Sequence, residues 1–297
     1  MKHKVKEKHA LTSIKKIIIL GLDGLEASII EREYFPNIEQ VEYGRIAIPI
    51  VPAFNAPSTP VIWTSFITGK DSAEHGIYSF WTWNNSFISY LQKKFYNNRF
   101  LAKILIFSQR FKPGQILRML GFKKIHIKKK NIKVKTLFDI IKPSIAISVP
   151  VVNEDVVAIY GYIEKIGLKE TLEKSRINFE KEKLKLLSNL NKPWKFLMVH
   201  FQIGDIYGHL YSNSLNKIVK LYQKLDKFVG EVKRKINKNT LCLVISDHGT
   251  IGDHTTYGFY SSNIPLNLND PKITDFYHII LDLLLNTNTQ SSNSKRV

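Results

Sequence analysis

A single cysteine, Cys242, is all this 297-residue chain carries, so no internal disulfide can form. Its place in the apolar run LCLVIS reads as a small buried hydrophobe in a strand. A reducing compartment is therefore permitted, and a cytoplasmic location is the expectation. Long apolar runs are also missing. Stretches such as IIILGL after Lys16 fall far short of the ~20 residues a membrane-spanning helix needs. The N-terminal MKHKVKEKHALTSIKK is basic, but no separate apolar stretch ending in a cleavage site follows before the first strand signal, which argues against a cleaved secretory leader. There is no internal repeat. Acidic residues are absent from His75 through Phe138, a stretch that holds 14 of the 44 lysines and arginines. Most of the formal charge of +19 thus belongs to one segment and not to the whole surface.

A hydrophobic content of 44% in a chain of this length suits one large core, or one core with a small appended unit. Residues 16–22 read as a buried strand that ends at Asp23-Gly24. Similar strand signals occur in SIAISVPVV from Ser144, KFLMVHF from Lys195 and TLCLVIS from Thr240. Helical periodicity runs from Glu164 in EKIGLKETLEKSRINFEKEKLKLLSNL and from Leu215 in LNKIVKLYQKLDKFVGEVKRKI. The alternation predicts an α/β fold with a mainly parallel central sheet flanked by helices. Residues 81–135 interrupt it with their own composition and read as a small basic insertion, in which FLAKILIFSQRF and GQILRMLGF have the pattern of short amphipathic helices. The expected organisation is a basic extension over 1–15, a catalytic domain over 16–285 and a polar disordered tail over 286–297.

Asp23, Asp205 and Asp247 each follow a predicted strand, and ligands of such sheets gather beyond the carboxyl ends of the strands. An unpaired carboxylate is costly to desolvate, so three acids at buried strand ends point to a shared cationic ligand. Three imidazoles accompany them: His209, four residues after Asp205 in GDIYGH, His248 next to Asp247 in VISDHG, and His254 in GDHTTYG. A spacing of four places both side chains on one side of a helical turn. Carboxylates with imidazoles suit borderline divalent ions, zinc above all, with manganese or ferrous iron as alternatives, and six such groups suffice for two ions. Taken singly, each histidine would read as an ordinary hydrogen-bonded residue. Thr59, in APSTPVIWTSFITG, precedes a proline that is tolerated in the first turn of a helix. It therefore reads either as a simple cap or as a hydroxyl held at a helix N-terminus that favours anions. A nearby cation would lower its pKa enough to make it a nucleophile.

In order along the chain, LGLDG, STPVIWTSFITGKDSAEHGI, GDIYGH and SDHG with a later histidine resemble the alkaline phosphatase superfamily. The similarity is greatest to its type I phosphodiesterase and nucleotide pyrophosphatase branch, and it covers about Lys16 to Asn263. The resemblance implies an alkaline-phosphatase-like fold. It further implies one metal site from Asp23, Asp247 and His248, a second from Asp205, His209 and His254, and Thr59 as the nucleophile that forms a phospho-threonine intermediate. Thr59 stands nine residues before Thr68-Gly69, as the family pattern requires. His75, in HGI, is expected to be structural.

The implied function is hydrolysis of phosphodiester or nucleotide pyrophosphate bonds in a small phosphoester or nucleotide. A phosphomonoesterase, a phosphonate hydrolase, and a non-catalytic polyanion-binding module are the alternatives. One departure bears on the choice: Phe80 stands where the nucleotide pyrophosphatases carry a phosphate-holding asparagine, which leaves either Tyr78 or Ser79 as a substitute donor or an apolar pocket wall at that place. Sulfatase chemistry is disfavoured, because no arginine follows Ser58-Thr59-Pro60-Val61-Ile62 and Cys242 has the wrong neighbours. The basic segment, residues 92–135, reads either as a contact for a polyanion or an anionic membrane surface, or as a solvated cap whose aromatic residues pack on the main domain.

Overall fold

The structure, a computed structural model, describes residues 14–108, 113–153 and 166–285. The expected polar tail and residues 1–13 of the expected basic extension lie outside these residues, as do Arg110, Phe111 and Lys112 of the basic segment and the predicted start of one helix at Glu164.

Six strands form the central sheet in the order β2-β10-β7-β1-β6-β5. They are β1 (Lys16–Leu22), β2 (Glu42–Ala47), β5 (Ser144–Ile147), β6 (Phe196–Phe201), β7 (Thr240–Ser246) and β10 (Tyr257–Ser262). β1 pairs in parallel with both β6 and β7, and β5 pairs in parallel with β6. β10 runs antiparallel to β7 on one side and β2 on the other, so it alone is reversed. The sheet is mainly parallel, as the alternation of strands and helices predicts.

Both faces of the sheet are covered, which is why its inner strands read as continuous apolar runs. Successive side chains of β1 point to opposite faces. Ile18, Leu20 and Leu22 enter one core with Leu221, Leu225 and Phe228 of the long helix Leu215–Lys235. Ile17 and Ile19 enter the other, with Trp63 and Phe66 of the helix Thr59–Thr68 and Phe276 and Ile280 of the helix Asp275–Leu285. The result is a three-layer α/β/α arrangement with the strand termini β1, β6 and β7 side by side.

Outside the sheet, β3 (Trp81–Trp83) and β4 (Lys124–His126) form a two-stranded ribbon. Between them lie the helices Ser86–Asn97, Arg99–Ser108 and Pro113–Met119. A second small ribbon pairs β8 (Thr250–Ile251) with β9 (Asp253–His254), directly after β7. Among the described residues no helix is long and apolar enough to cross a membrane.

Candidate active site

Three neighbouring parallel strands deliver the acids. Asp23 follows β1, Asp247 follows β7, and Asp205 lies in the first turn of the helix Ile203–Leu210 that leaves β6. Two glycines permit the convergence. Gly24 has φ +76°, and a Cβ there would overlap the backbone of Asp205. A Cβ at Gly208 would overlap the carbonyl of Thr250, so that glycine lets the helix Ile203–Leu210 lie against the β8–β9 ribbon.

His248 Nε2 is the hub of the first group. It lies 3.3 Å from Asp247 Oδ2, 3.7 Å from Asp23 Oδ1 and 3.3 Å from Thr59 Oγ1. The second group has Asp205 Oδ1 at 3.3 Å from His209 Nε2 and 3.5 Å from His254 Nε2, with the two nitrogens 2.8 Å apart. The rings of His248 and His254 stack at 3.8 Å, which joins the groups. All seven residues singled out in the sequence therefore fall in one continuous cluster. Asp205, His248 and His254 can also offer a shared site, so His248 is within reach of both positions.

The donor set fits a divalent ion. Tetrahedral zinc with bonds of about 2.0–2.2 Å holds its ligand atoms roughly 3.2–3.6 Å apart, and the separations here, 2.8 to 3.7 Å, bracket that range. Asp247 Oδ1 and Oδ2 and Asp23 Oδ1 are buried and receive no hydrogen bond. Buried acceptors without donors are costly, and a cation is the ligand that would satisfy them together. Burial holds the Asp23 carboxyl well above the usual range, and the nearby charges of Asp247 and Asp205 push it in the same direction. Such mutual repulsion is what a bound metal relieves.

The imidazoles divide by environment. Burial lowers His209 to about 4, helped by the neighbouring His254 and His248, so its ring is neutral, the form in which imidazole ligates a metal. Burial also acts to lower His254, but its hydrogen bond to Asp205, the charges of Asp205 and Asp247 and the Pro57 carbonyl outweigh it, leaving the pKa raised.

Thr59 is the first residue of its helix, Pro60 follows, and no side chain caps the N-terminus. The positive end of the helix thus stands beside the hydroxyl, a placement suited to a phosphate. Thr64, a competing hydroxyl, donates instead to the Pro60 carbonyl at 2.6 Å. His75 is structural: Nδ1 accepts from the amide of Ile77 at 3.1 Å, and Nε2 lies 3.2 Å from Ser65 Oγ. Cys242 is a buried thiol in β7 that burial pushes up to about 12. Phe80 stacks on His126, with centroids 6.1 Å apart, and its carbonyl accepts from Ile127, so this position has joined the wall of the β3–β4 ribbon. Tyr78 and Ser79 are both engaged: Tyr78 OH accepts from Asn97 Nδ2 at 2.6 Å and Ser79 Oγ from the amide of Trp81 at 3.3 Å.

Three supporting residues were not singled out in the sequence. His200 Nε2 lies 3.0 Å from Asp23 Oδ2, and Thr250 Oγ1 donates to Asp205 Oδ1 at 3.0 Å. Ser246 Oγ accepts from the amide of Leu25 and donates to the carbonyl of His248, each at 2.9 Å, which fixes the bend that turns Asp247 and His248 inward. A histidine inside the fully buried strand FLMVHF was the one available signal.

The fold is alkaline-phosphatase-like, and the family match defines the class of protein as a phosphoester hydrolase. The chain belongs to the type I phosphodiesterase / nucleotide pyrophosphatase family, whose model matches residues 17–260. It is thus a phosphodiesterase-like hydrolase, and the family implies divalent metal ions. Among solved structures, the alkaline phosphatase of the Antarctic bacterium TAB5 shares the fold at a TM-score of 0.51 and 14% identity, with 91% of this chain and 98% of that one covered. The PH0037 protein from Pyrococcus horikoshii matches at a TM-score of 0.49 and 13% identity over 92% of this chain and 98% of that one. Murine ectonucleotide pyrophosphatase / phosphodiesterase 5 matches at 0.46 and 13%, over 79% of this chain, which spans 57% of that protein's chain. No curated protein matches.

Proposed function

We propose that the protein cleaves phosphodiester or nucleotide pyrophosphate bonds by a two-step displacement through Thr59. The observation that carries this reading is the 3.3 Å approach of Thr59 Oγ1 to His248 Nε2, which brings a helix-terminal hydroxyl to the edge of the acid and imidazole cluster. Two divalent ions complete the site, zinc by preference from the mixture of carboxylate and imidazole donors, with manganese or ferrous iron as alternatives. Asp23, Asp247 and His248 would hold one, and Asp205, His209 and His254 the other. When bound, such ions lower the pKa of a hydroxyl and offset charge on the transferring phosphoryl group.

Thr59 Oγ attacks phosphorus in line with the leaving oxygen, which departs with the P–O bonding pair and takes up the proton that the threonine hydroxyl loses. The new Oγ–P bond makes a phospho-threonine ester beside the positive helix end. Water then attacks the same phosphorus, and Thr59 leaves with its oxygen and regains a proton, so one water is consumed per bond cleaved. The phosphate-holding donor that the family carries after HGI is replaced by Phe80, so recognition of the remaining phosphate oxygens falls to the helix N-terminus.

Residues 81–135 form an insertion on a catalytic domain spanning 16–285 in this reading, and residues 92–135 contact an anionic surface. A cytoplasmic setting is part of this reading, and the lone buried thiol of Cys242 permits it. The test compares aryl phosphodiester, aryl phosphomonoester and aryl sulfate in one preparation, with and without added zinc or manganese. The reading expects metal-dependent turnover with the diester preferred. A much better monoester would reassign the substrate class while keeping the site, and no turnover with any metal would favour a binding module.

A further inference from the structure

Three helices between β3 and β4 turn apolar side chains toward solvent at helical spacing, the reverse of what a packed surface helix does. In Ser86–Asn97 the exposed residues are Phe87, Tyr90 and Leu91, at positions i, i+3 and i+4. The same spacing recurs with Ile116, Met119 and Leu120 on and just after Pro113–Met119, where Met119 is 87% exposed. On Arg99–Ser108, Phe100 is 71% exposed and Ile104 follows one turn later. Of the twenty exposed large hydrophobic residues among the described residues, ten lie between 81 and 125, so the exposure is concentrated there. Ser86–Asn97 is nonetheless seated on the domain. Its Tyr96 ring lies 5.2 Å from that of Phe54, and Asn97 donates to Tyr78.

We propose that these apolar stripes dock the protein on an anionic lipid bilayer, entering the acyl boundary with the lysines among the headgroups. The proposal rests on the reading of residues 92–135 as an anion-contacting segment and is independent of the catalytic chemistry. Charge and side-chain type select the occupant. With 14 cations and no acid from His75 to Phe138, a second copy of the same face would meet like charge. Nucleic acid would satisfy the lysines, but Leu91, Ile104, Ile116, Met119 and Leu120 have no ring on which a base could stack. An acidic membrane satisfies both, because interfacial helices combine a basic polar face with an apolar one. Lys94 shows the arrangement locally: it continues the line of Phe87, Tyr90 and Leu91, with its Nζ 5.0 Å from the Tyr90 ring centroid.

The test is co-sedimentation of the full chain with phosphatidylcholine vesicles, with and without phosphatidylglycerol, at low and high salt. Two double variants, F87S/L91S and M119S/L120S, are measured alongside, and matching melting curves by circular dichroism verify that each is folded. The proposal predicts binding that requires phosphatidylglycerol, weakens with salt, and falls on the order of tenfold or more in each double variant. Heparin binding should be unchanged in both. Vesicle binding undiminished by the serine pairs would overturn insertion and leave only the polyanion contact. Absence of phosphatidylglycerol-dependent binding would overturn the proposal, as would a dimer in solution that the serine pairs dissolve.

Discussion

His200 Nε2 lies 3.0 Å from Asp23 Oδ2, both groups being buried, and the indole of Trp63 meets the imidazole edge-on at 5.1 Å. The pairing fixes the Asp23 carboxylate so that Oδ1 is the oxygen near His248. Burial lowers His200 to about 4, so the ring is neutral. Partners of this type orient metal ligands, and their loss typically reduces metal affinity by about 10–100-fold. His200→Leu is expected to lose affinity on that scale in a chelator competition, and His200→Gln, which keeps a donor, to recover part of it. Equal affinities in all three proteins would remove His200 from the site.

Asp247 and Asp23 repel one another within the buried cluster, and Asp247 contributes to raising Asp23. Asp247→Asn should therefore have opposite effects on two forms of the protein. In the chelated form the variant melts at a higher temperature than the wild type, because one buried charge has gone. With zinc or manganese in excess the order reverses, since ligand binding to the native state adds about 2.7 kcal/mol at 100 times Kd. Thermal unfolding with and without chelator reads both signs, and a variant less stable in both forms would contradict the cluster electrostatics.

His75 supplies a pH dependence away from the acid and imidazole cluster. Burial lowers it from 6.5 to about 4, so between those values the unfolded chain takes up a proton that the folded chain refuses. Stability is intact above about pH 6.5 and declines as the pH falls toward 4, by roughly 3 kcal/mol in total from this residue. In His75→Asn, whose side-chain oxygen can accept from Ile77, urea unfolding should show a shallower loss of stability over that window. Identical slopes in the two proteins would refute the assignment.

Sequence and structure agree best where burial is symmetrical. β1 and β7 are covered on both faces, so each is an unbroken apolar run that local pattern identifies. β2 and β10 escape such a reading. β2 is an edge strand that alternates with solvent, and β10, YGFYSS, has no aliphatic side chain at all. Their pairing depends on contacts distant in sequence, including the reversal of β10 between β7 and β2. The ligand candidates were legible because acids at the ends of apolar strands are costly and therefore conspicuous. His200 was not, since one imidazole within FLMVHF reads equally well as a core residue. Thr250 and Ser246 act through hydroxyls, whose roles appear only when a partner is in place.

The central claim is that Thr59 carries the phosphoryl group between two displacements. Acid quenching during turnover of an aryl phosphodiester, followed by peptide mass spectrometry, tests it directly. The account predicts that the peptide containing Thr59 gains the phosphoryl portion retained from the substrate, at Thr59 itself. Thr59→Ala should show no adduct, with activity lower by on the order of a thousandfold or more. An adduct on Ser58, or full turnover by Thr59→Ala, would contradict the account.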